Sequence, residues 1–471
     1  MPAEPTPTTL SAEPGSTSQH FSLDVKFPVY SIAFVDDDKV VLAGGGGSSR
    51  TGVKNRLSMY QIDPSHKQLH LVTEHELSKE EDAPMTIAIH RPSKTIAAGI
   101  NSDLETLKSG VNENLRIFNY ELPSSFSPSS PSSSSSSESL ITYSRRHQTQ
   151  QSLSPDHYQK VTTFSRSPNP LTPPLLAIGS TSSQLSLLAL PNLNDVLPQL
   201  IPGKEGDASR QYEGEEVYDV DFNDKGDMLV GTSSTKLCVW STSSSSSSNN
   251  SDTKQKKKEN EGEGEDDDLE PLQVIERPVL KKELACTFRA AKFGRSTTSS
   301  NLYTVVNSSP SSGGGGPRKK RGGSNRKNEN KKSFISLWDT LEWKLNKTRT
   351  VGTKPITSFE VSEDGTLLAY GSSDLSIGIL DATTLRPIMT ILKAHDFPST
   401  TLKFNPTGTL LVSGSADNSL RVIKVPSPSE RGGESKMTIV LITVFILLLA
   451  ILVQQGFITR ETWRAARGVM N

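Results

Sequence analysis

Apolar and polar residues alternate along most of this chain in short runs, with the period of two that marks half-buried β-strands. The clearest stretch is TLKFNPTGTLLVSGSADNSLRVIKV, from Thr401 to Val425. It reads as an alternating strand, a polar turn, a second strand ending in small residues, another turn and a third strand. SFEVSEDGTLLAYGSSDLSIGILD, from Ser358 to Asp381, repeats the plan. Gly365 and Gly408 supply the first turn of each unit, and Asp374 and Asp417 open the second. Weaker copies start near Val29, Met85, Val161, Val217 and Leu284, which makes seven units. A sheet of three or four strands cannot bury both faces alone, whereas seven sheets closed around an axis give each one two neighbours. Two stacked β-sandwiches would not produce repeated strand–glycine turn–strand units. The pattern therefore predicts an all-β, seven-bladed β-propeller over residues 21–427.

Several stretches are too poor in apolar side chains to offset the entropy of ordering. Residues 1–20 read as a disordered N-terminus, and insertions at about 121–150, 242–272 and 307–332 read as mobile. The last of these holds GGGGPRKKRGG, a basic run without interleaved aromatics that reads as a solvated loop, so no nucleic-acid partner is expected. The fifth unit ends in Trp338-Asp339, the dipeptide of WD-repeat propellers, and His395 stands where their histidine precedes the last blade.

The alternation gives way near the C-terminus to MTIVLITVFILLLAILV, Met437 to Val453, seventeen residues without a charge and with Leu447 at its centre. At about 1.5 Å per residue a helix here spans roughly 25 Å, adequate for a thin bilayer of the endoplasmic-reticulum type. A single transmembrane helix is the expectation, after a juxtamembrane linker at 428–436 and before a short lumenal tail at 454–471. Lys424, Arg431 and Lys436 before the run balance Arg460, Arg464 and Arg467 after it, so flanking charge does not orient it. The first twenty residues carry no signal-peptide pattern, which predicts a cytosolic propeller.

A formal net charge of −1 gives no global pull toward nucleic acid or anionic lipid. The two cysteines, Cys238 and Cys286, match no zinc or redox spacing. His66 and His70 lack the glutamate of a metalloprotease helix and lie in strand context. No nucleophile motif is present, so covalent chemistry is not expected. Gly47 to Gly52 has phosphate-loop spacing, but Val53 stands where lysine must follow and a strand, not a helix, comes next. Four consecutive glycines, Gly44 to Gly47, nevertheless let the backbone fold tightly, with carbonyl oxygens free to meet a desolvated monovalent cation or a partner's backbone. A hairpin connection without a role is the plainer reading of the same residues.

FPVYSIAFVDDDKVVLAGGGGSSRTGVKNRLSMYQID, Phe27 to Asp63, resembles the opening of the endoplasmic-reticulum guanine nucleotide exchange factors that start COPII coat assembly. The resemblance implies a cytosolic propeller, one helix and a lumenal tail, a type II topology in the endoplasmic-reticulum membrane and the early Golgi. It implies a potassium ion at the glycine run, Gly44, Gly45, Gly46 and Gly47, and a projecting loop that engages the small GTPase of the COPII coat. Gly52, Val53, Lys54 and Asn55 match the family's Gly-x-x-Asn, which makes them partner-binding and makes Asn55 the catalytic residue reaching the nucleotide site. Ser48 to Thr51, and Lys54 where some relatives carry proline, depart from the pattern. The alternatives are a membrane-tethered scaffold without exchange activity and a nuclear regulator using the basic loop.

Overall fold

The computed structural model describes residues 9–13, 17, 19–48, 52–78, 81–123, 139–166, 173–200, 215–243, 270–279, 284–310, 331–430, 443, 444, 447 and 451. Up to Lys424 these residues form one compact unit of seven antiparallel sheets. The innermost strands are Val29–Phe34, Thr86–His90, Gln159–Phe164, Asp219–Phe222, Leu284–Phe293, Ile356–Val361 and Ser399–Phe404. Each touches the next in chain order and the last touches the first, so the sheets are the blades of a closed propeller. The seven predicted units are the seven blades.

The repeated small residues at the end of each second strand now have a physical reason. In the last blade that strand is Leu410–Ser415, and a Cβ added at Gly414 would lie 2.6 Å from Val29 Cγ1 of the first blade. The neighbouring innermost strand enters at this point and leaves no room for a side chain. Between blades the core is apolar: Val29, Ile32, Leu42, Val412 and Leu420 pack in one buried cluster that joins the last blade to the first. Asp374 and Asp417 open their turns by accepting the N–H of Ser376 (3.1 Å) and Ser419 (2.8 Å). Trp338 donates its indole N–H to Thr304 across the fifth blade, 3.0 Å. His395 is buried between Ser413 (2.9 Å) and Ser419 (2.6 Å), and ties the segment entering the last blade to two of its strands, Leu410–Ser415 and Ser419–Lys424.

Strands without apolar alternation are additions to the sequence reading. Residues 1–20 were expected to be disordered, yet Thr9–Ser11 pairs with Gln68–Glu76 as a fifth strand of the first blade. Ile141–His147, inside the expected insertion at 121–150, is the fourth strand of the second blade. Asn301–Pro310 runs through the expected boundary of the insertion at 307–332, and Gln273–Glu276 begins just past the end of the one at 242–272. His20–Asp24 pairs with Ser419–Lys424, so the outermost strand of the last blade comes from the start of the chain.

A second unit covers Val425–Asn471. Of the apolar run, Met437 and Val453 lie outside the described residues, whereas Thr443, Val444, Leu447 and Ile451 are helical. Among the described residues no helix is long and apolar enough to cross a membrane, so the expected span is not part of the described architecture.

Candidate functional site

The glycine run closes the strand Lys39–Gly44 and opens the connection to Arg56–Asp63 in the first blade. This connection lies at the end of the propeller where the innermost strands begin, because Gly45 donates its N–H to the carbonyl of Pro28, just ahead of Val29 (3.1 Å). Close approach requires glycine here. A Cβ at Gly44 would sit 1.9 Å from the Pro28 carbonyl oxygen. Gly45 has φ +146°, and its Cβ would sit 2.4 Å from Asn55 Oδ1 and 2.6 Å from Asn55 Cα.

Asn55 organises the loop. Its side-chain oxygen accepts the N–H of Gly47 at 2.9 Å, and its amide nitrogen donates to the carbonyls of Gly47 (3.2 Å) and Glu81 (2.9 Å). Its backbone carbonyl accepts the N–H of Leu77 at 2.9 Å. Only 7% of the residue is exposed. The amide expected to reach a nucleotide site therefore faces into the loop, where an acceptor and two donor hydrogens meet three backbone groups at once.

The other expected contact residues divide. Val53 packs against the core cluster of the first blade, and its carbonyl accepts the Gly46 N–H (3.3 Å). Gly52 has φ +81° with open space where a side chain would be. Lys54 is exposed and pairs with Glu76 at 2.7 Å. Residues 49–51, the middle of the loop, lie outside the described residues.

In the neighbouring connection, Ser78 and Glu81 to Ala83 form a wall that the sequence pattern does not single out. Asp82 accepts the N–H groups of Ser48 and Ala83, both at 2.8 Å. Glu81 supplies its carbonyl to Asn55, while its carboxylate accepts from Ser78 and from Arg116 Nε (3.2 Å). Burial works to raise the Glu81 carboxyl pKa, but the Ser78 N–H and the Arg116 guanidinium outweigh it and hold the pKa below the usual range. Arg116 is 1% exposed, so this ion pair is a buried footing for the loop.

A cation at the glycine run would find carbonyl oxygens, with the Asp82 carboxylate beside them. That donor set suits a monovalent alkali ion and not a thiophilic or imidazole-seeking metal. Among the described residues no group of three or more His, Cys, Asp or Glu side chains could hold a metal.

Comparison with known proteins agrees with the fold. The WD domain, G-beta repeat, matches residues 386–424. A solved chain from the "Crystal Structure of Mitotic Checkpoint Complex" superposes with TM-score 0.51 at 15% identity, covering 90% of this chain and 95% of that one. These findings define a WD-repeat β-propeller. Within that class, the "Guanine nucleotide-exchange factor SEC12" of Candida glabrata is 22% identical over 438 residues, 90% of this chain and 77% of the relative. The Mus musculus protein of the same name is 21% identical, covering 81% of this chain and 82% of that one. "SEC12-like protein 2" of Arabidopsis thaliana is 27% identical over 106 residues, 22% of this chain and 27% of its own. The chain is thus a WD-repeat propeller similar along most of its length to the SEC12 exchange factors.

Proposed function

We propose that this chain is a guanine nucleotide-exchange factor that loads the COPII small GTPase at the endoplasmic-reticulum membrane and so starts vesicle budding. The observation that carries the reading is the Asn55 clamp: one buried amide fixes a glycine loop on the rim of a rigid propeller through three hydrogen bonds. The resemblance implies a projecting loop at these residues, and the SEC12 relatives carry the activity in their names.

Exchange requires binding the GTPase better when it is empty than when it is loaded, so that association expels the nucleotide. A loop ordered in advance does not have to be ordered on binding. Gly52 and Lys54 are exposed and would be the residues of the Gly-x-x-Asn stretch that meet the partner, while Asn55 would set the loop's shape. A potassium ion would be held by carbonyls of Gly44–Gly47 beside Asp82, and would supply positive charge that draws those oxygens together. A membrane helix at Met437–Val453 would confine activation to one surface, where the COPII GTPase operates.

The test is nucleotide release from the purified COPII GTPase, with and without the full chain in detergent, in potassium and then in sodium buffer. Acceleration that weakens in sodium and drops in Asn55→Ala supports the reading. No acceleration by folded protein that still binds the GTPase makes the chain a tethered scaffold. For topology, Asn346 is the informative sequon. It is exposed, whereas Asn307 is buried and bonds Ile356 and Ser333. Glycan on Asn346 in cells would place the propeller in the lumen and end the proposal.

A further inference from the structure

The axis of the propeller is a cavity of about 720 Å³ lined by all seven innermost strands. Its wall is crowded with charge, most of it paired. Lys292 meets Asp219 at 2.7 Å, Arg295 grips Asp221 through two contacts of 2.7 and 2.6 Å, and Arg91 meets Glu363 at 2.7 Å. Lys403 pairs with Glu360, and Lys160 with Glu216. These five pairs leave two lining cations over, Arg166 and Arg289. Arg289 donates to the Thr357 carbonyl at 2.6 Å and lies over the Tyr218 ring. Among the described residues, no hydrogen bond or ion pair reaches the Arg166 guanidinium.

Arg166 follows the strand Gln159–Phe164, so it stands at the end of the channel away from the glycine loop. Arg91, Arg295 and Glu363 follow their own innermost strands and stand at the same end. Five N–H donors on a rigid fork thus face a confined space in which the nearby carboxylates are already engaged. Burial, then the Arg295 charge, lowers the Arg166 pKa to about 10, which leaves it cationic at neutral pH. The Asp221, Glu363 and Glu360 carboxylates attract the Arg166 charge from nearby without bonding it, and a tetrahedral oxyanion satisfies the fork with paired bonds.

We propose that this end of the axial channel binds a small phosphate-class oxyanion, with Arg166 as its principal ligand. The site is separate from the glycine loop and does not depend on exchange activity. The volume exceeds that of one phosphate and admits a phosphorylated small molecule as well as the free ion.

The experiment is calorimetric titration of the full chain with sodium phosphate, and separately with tripolyphosphate, each against sodium chloride at equal ionic strength. Saturable binding that falls at least tenfold in Arg166→Gln and recovers in part in Arg166→Lys supports the site. Arg289→Gln, at the other end of the channel, is expected to leave it within twofold. Preference for tripolyphosphate by tenfold or more assigns a polyphosphorylated solute, and equal affinity assigns the free ion. Absence of saturable heat with the unmodified protein overturns the proposal without any variant. So does binding that survives Arg166→Gln or vanishes in Arg289→Gln. Thermal melting of each variant shows that it is folded, and phosphate is expected to raise the melting temperature of the unmodified chain and of Arg289→Gln but not of Arg166→Gln. If Arg166→Gln does not fold, phosphorus resonance broadening with the unmodified chain decides: broadening saturates if the site exists and stays linear in protein if it does not.

Discussion

Replacing Asn55 with alanine tests whether that side chain shapes the loop or meets the partner. The substitution removes three hydrogen bonds, to Gly47 N–H, Gly47 C=O and Glu81 C=O. At a net contribution of about 1 kcal/mol each, the ordered loop loses roughly 3 kcal/mol relative to its open forms. That corresponds to a fall on the order of a hundredfold in the ratio of ordered to open loop. The loss stays local, because the blade's ladder between Val40–Gly44 and Arg56–Tyr60 does not use the side chain. Amide hydrogen exchange at Gly46, Gly47 and Ser48 should therefore speed up by as much as that factor, while the strand amides keep their protection. GDP release from the GTPase should slow in parallel. Asn55→Asp keeps the acceptor for Gly47 but sets a carboxylate against two carbonyls, so it should lose at least as much. Unchanged loop protection in both variants would refute the clamp. Lost exchange activity with a protected loop would instead make Asn55 a direct contact to the partner.

Three further outcomes follow from the geometry. Gly45→Ala forces a Cβ to within 2.6 Å of the Asn55 backbone at a φ of +146°, so it should abolish exchange activity while the melting temperature shifts little; retained activity would show that the loop can be rebuilt. Asp221→Ala strands the Arg295 guanidinium, 3% exposed, and should lower unfolding free energy by about 3–5 kcal/mol in urea titration; a loss under 1 kcal/mol would mean that the pair is solvated. Burial depresses the His395 pKa to about 4, against the opposing pull of Asp417, so below pH 6.5 the unfolded chain takes up a proton that the folded chain refuses. Stability contributed by the neutral ring is whole above pH 6.5 and is lost as pH falls to 4, by about 3 kcal/mol, and His395→Gln should flatten that part of the stability–pH curve.

The ring itself was legible because its inner three strands per blade are buried on both faces and alternate with turn chemistry. The fourth strands were not. Lys344–Gly352 is largely exposed and Asn194–Asp195 entirely so, and neither carries an apolar rhythm. They are strands because an unpaired edge recruits them, a cause that no local pattern records. HFSLD does alternate, with Phe21 and Leu23 buried, but its partner lies at the other end of the chain. At the loop, the glycine run announced a tight backbone from composition alone. The wall from Glu81 and Asp82 did not, since a carboxylate in a polar connection looks the same whether it cradles a neighbour or faces water. The inward turn of Asn55 depends on Glu81, 26 positions away in sequence.

Pairing of His20–Asp24 with Ser419–Ile423 also sets a schedule for synthesis. His20–Asp24 is made before any innermost strand, and its partner is the last strand of the propeller to be made. At about 5–20 residues per second, roughly 20–80 s separate their appearance, and through that interval the buried side chains Phe21 and Leu23 have no blade to enter. Six blades can stack on one another as they emerge, but the seam has no substitute strand in the meantime. A protein built this way leans on holding factors for the strand His20–Asp24, and a slow ribosome while Ser419–Lys424 is being made lengthens the exposure of its edge.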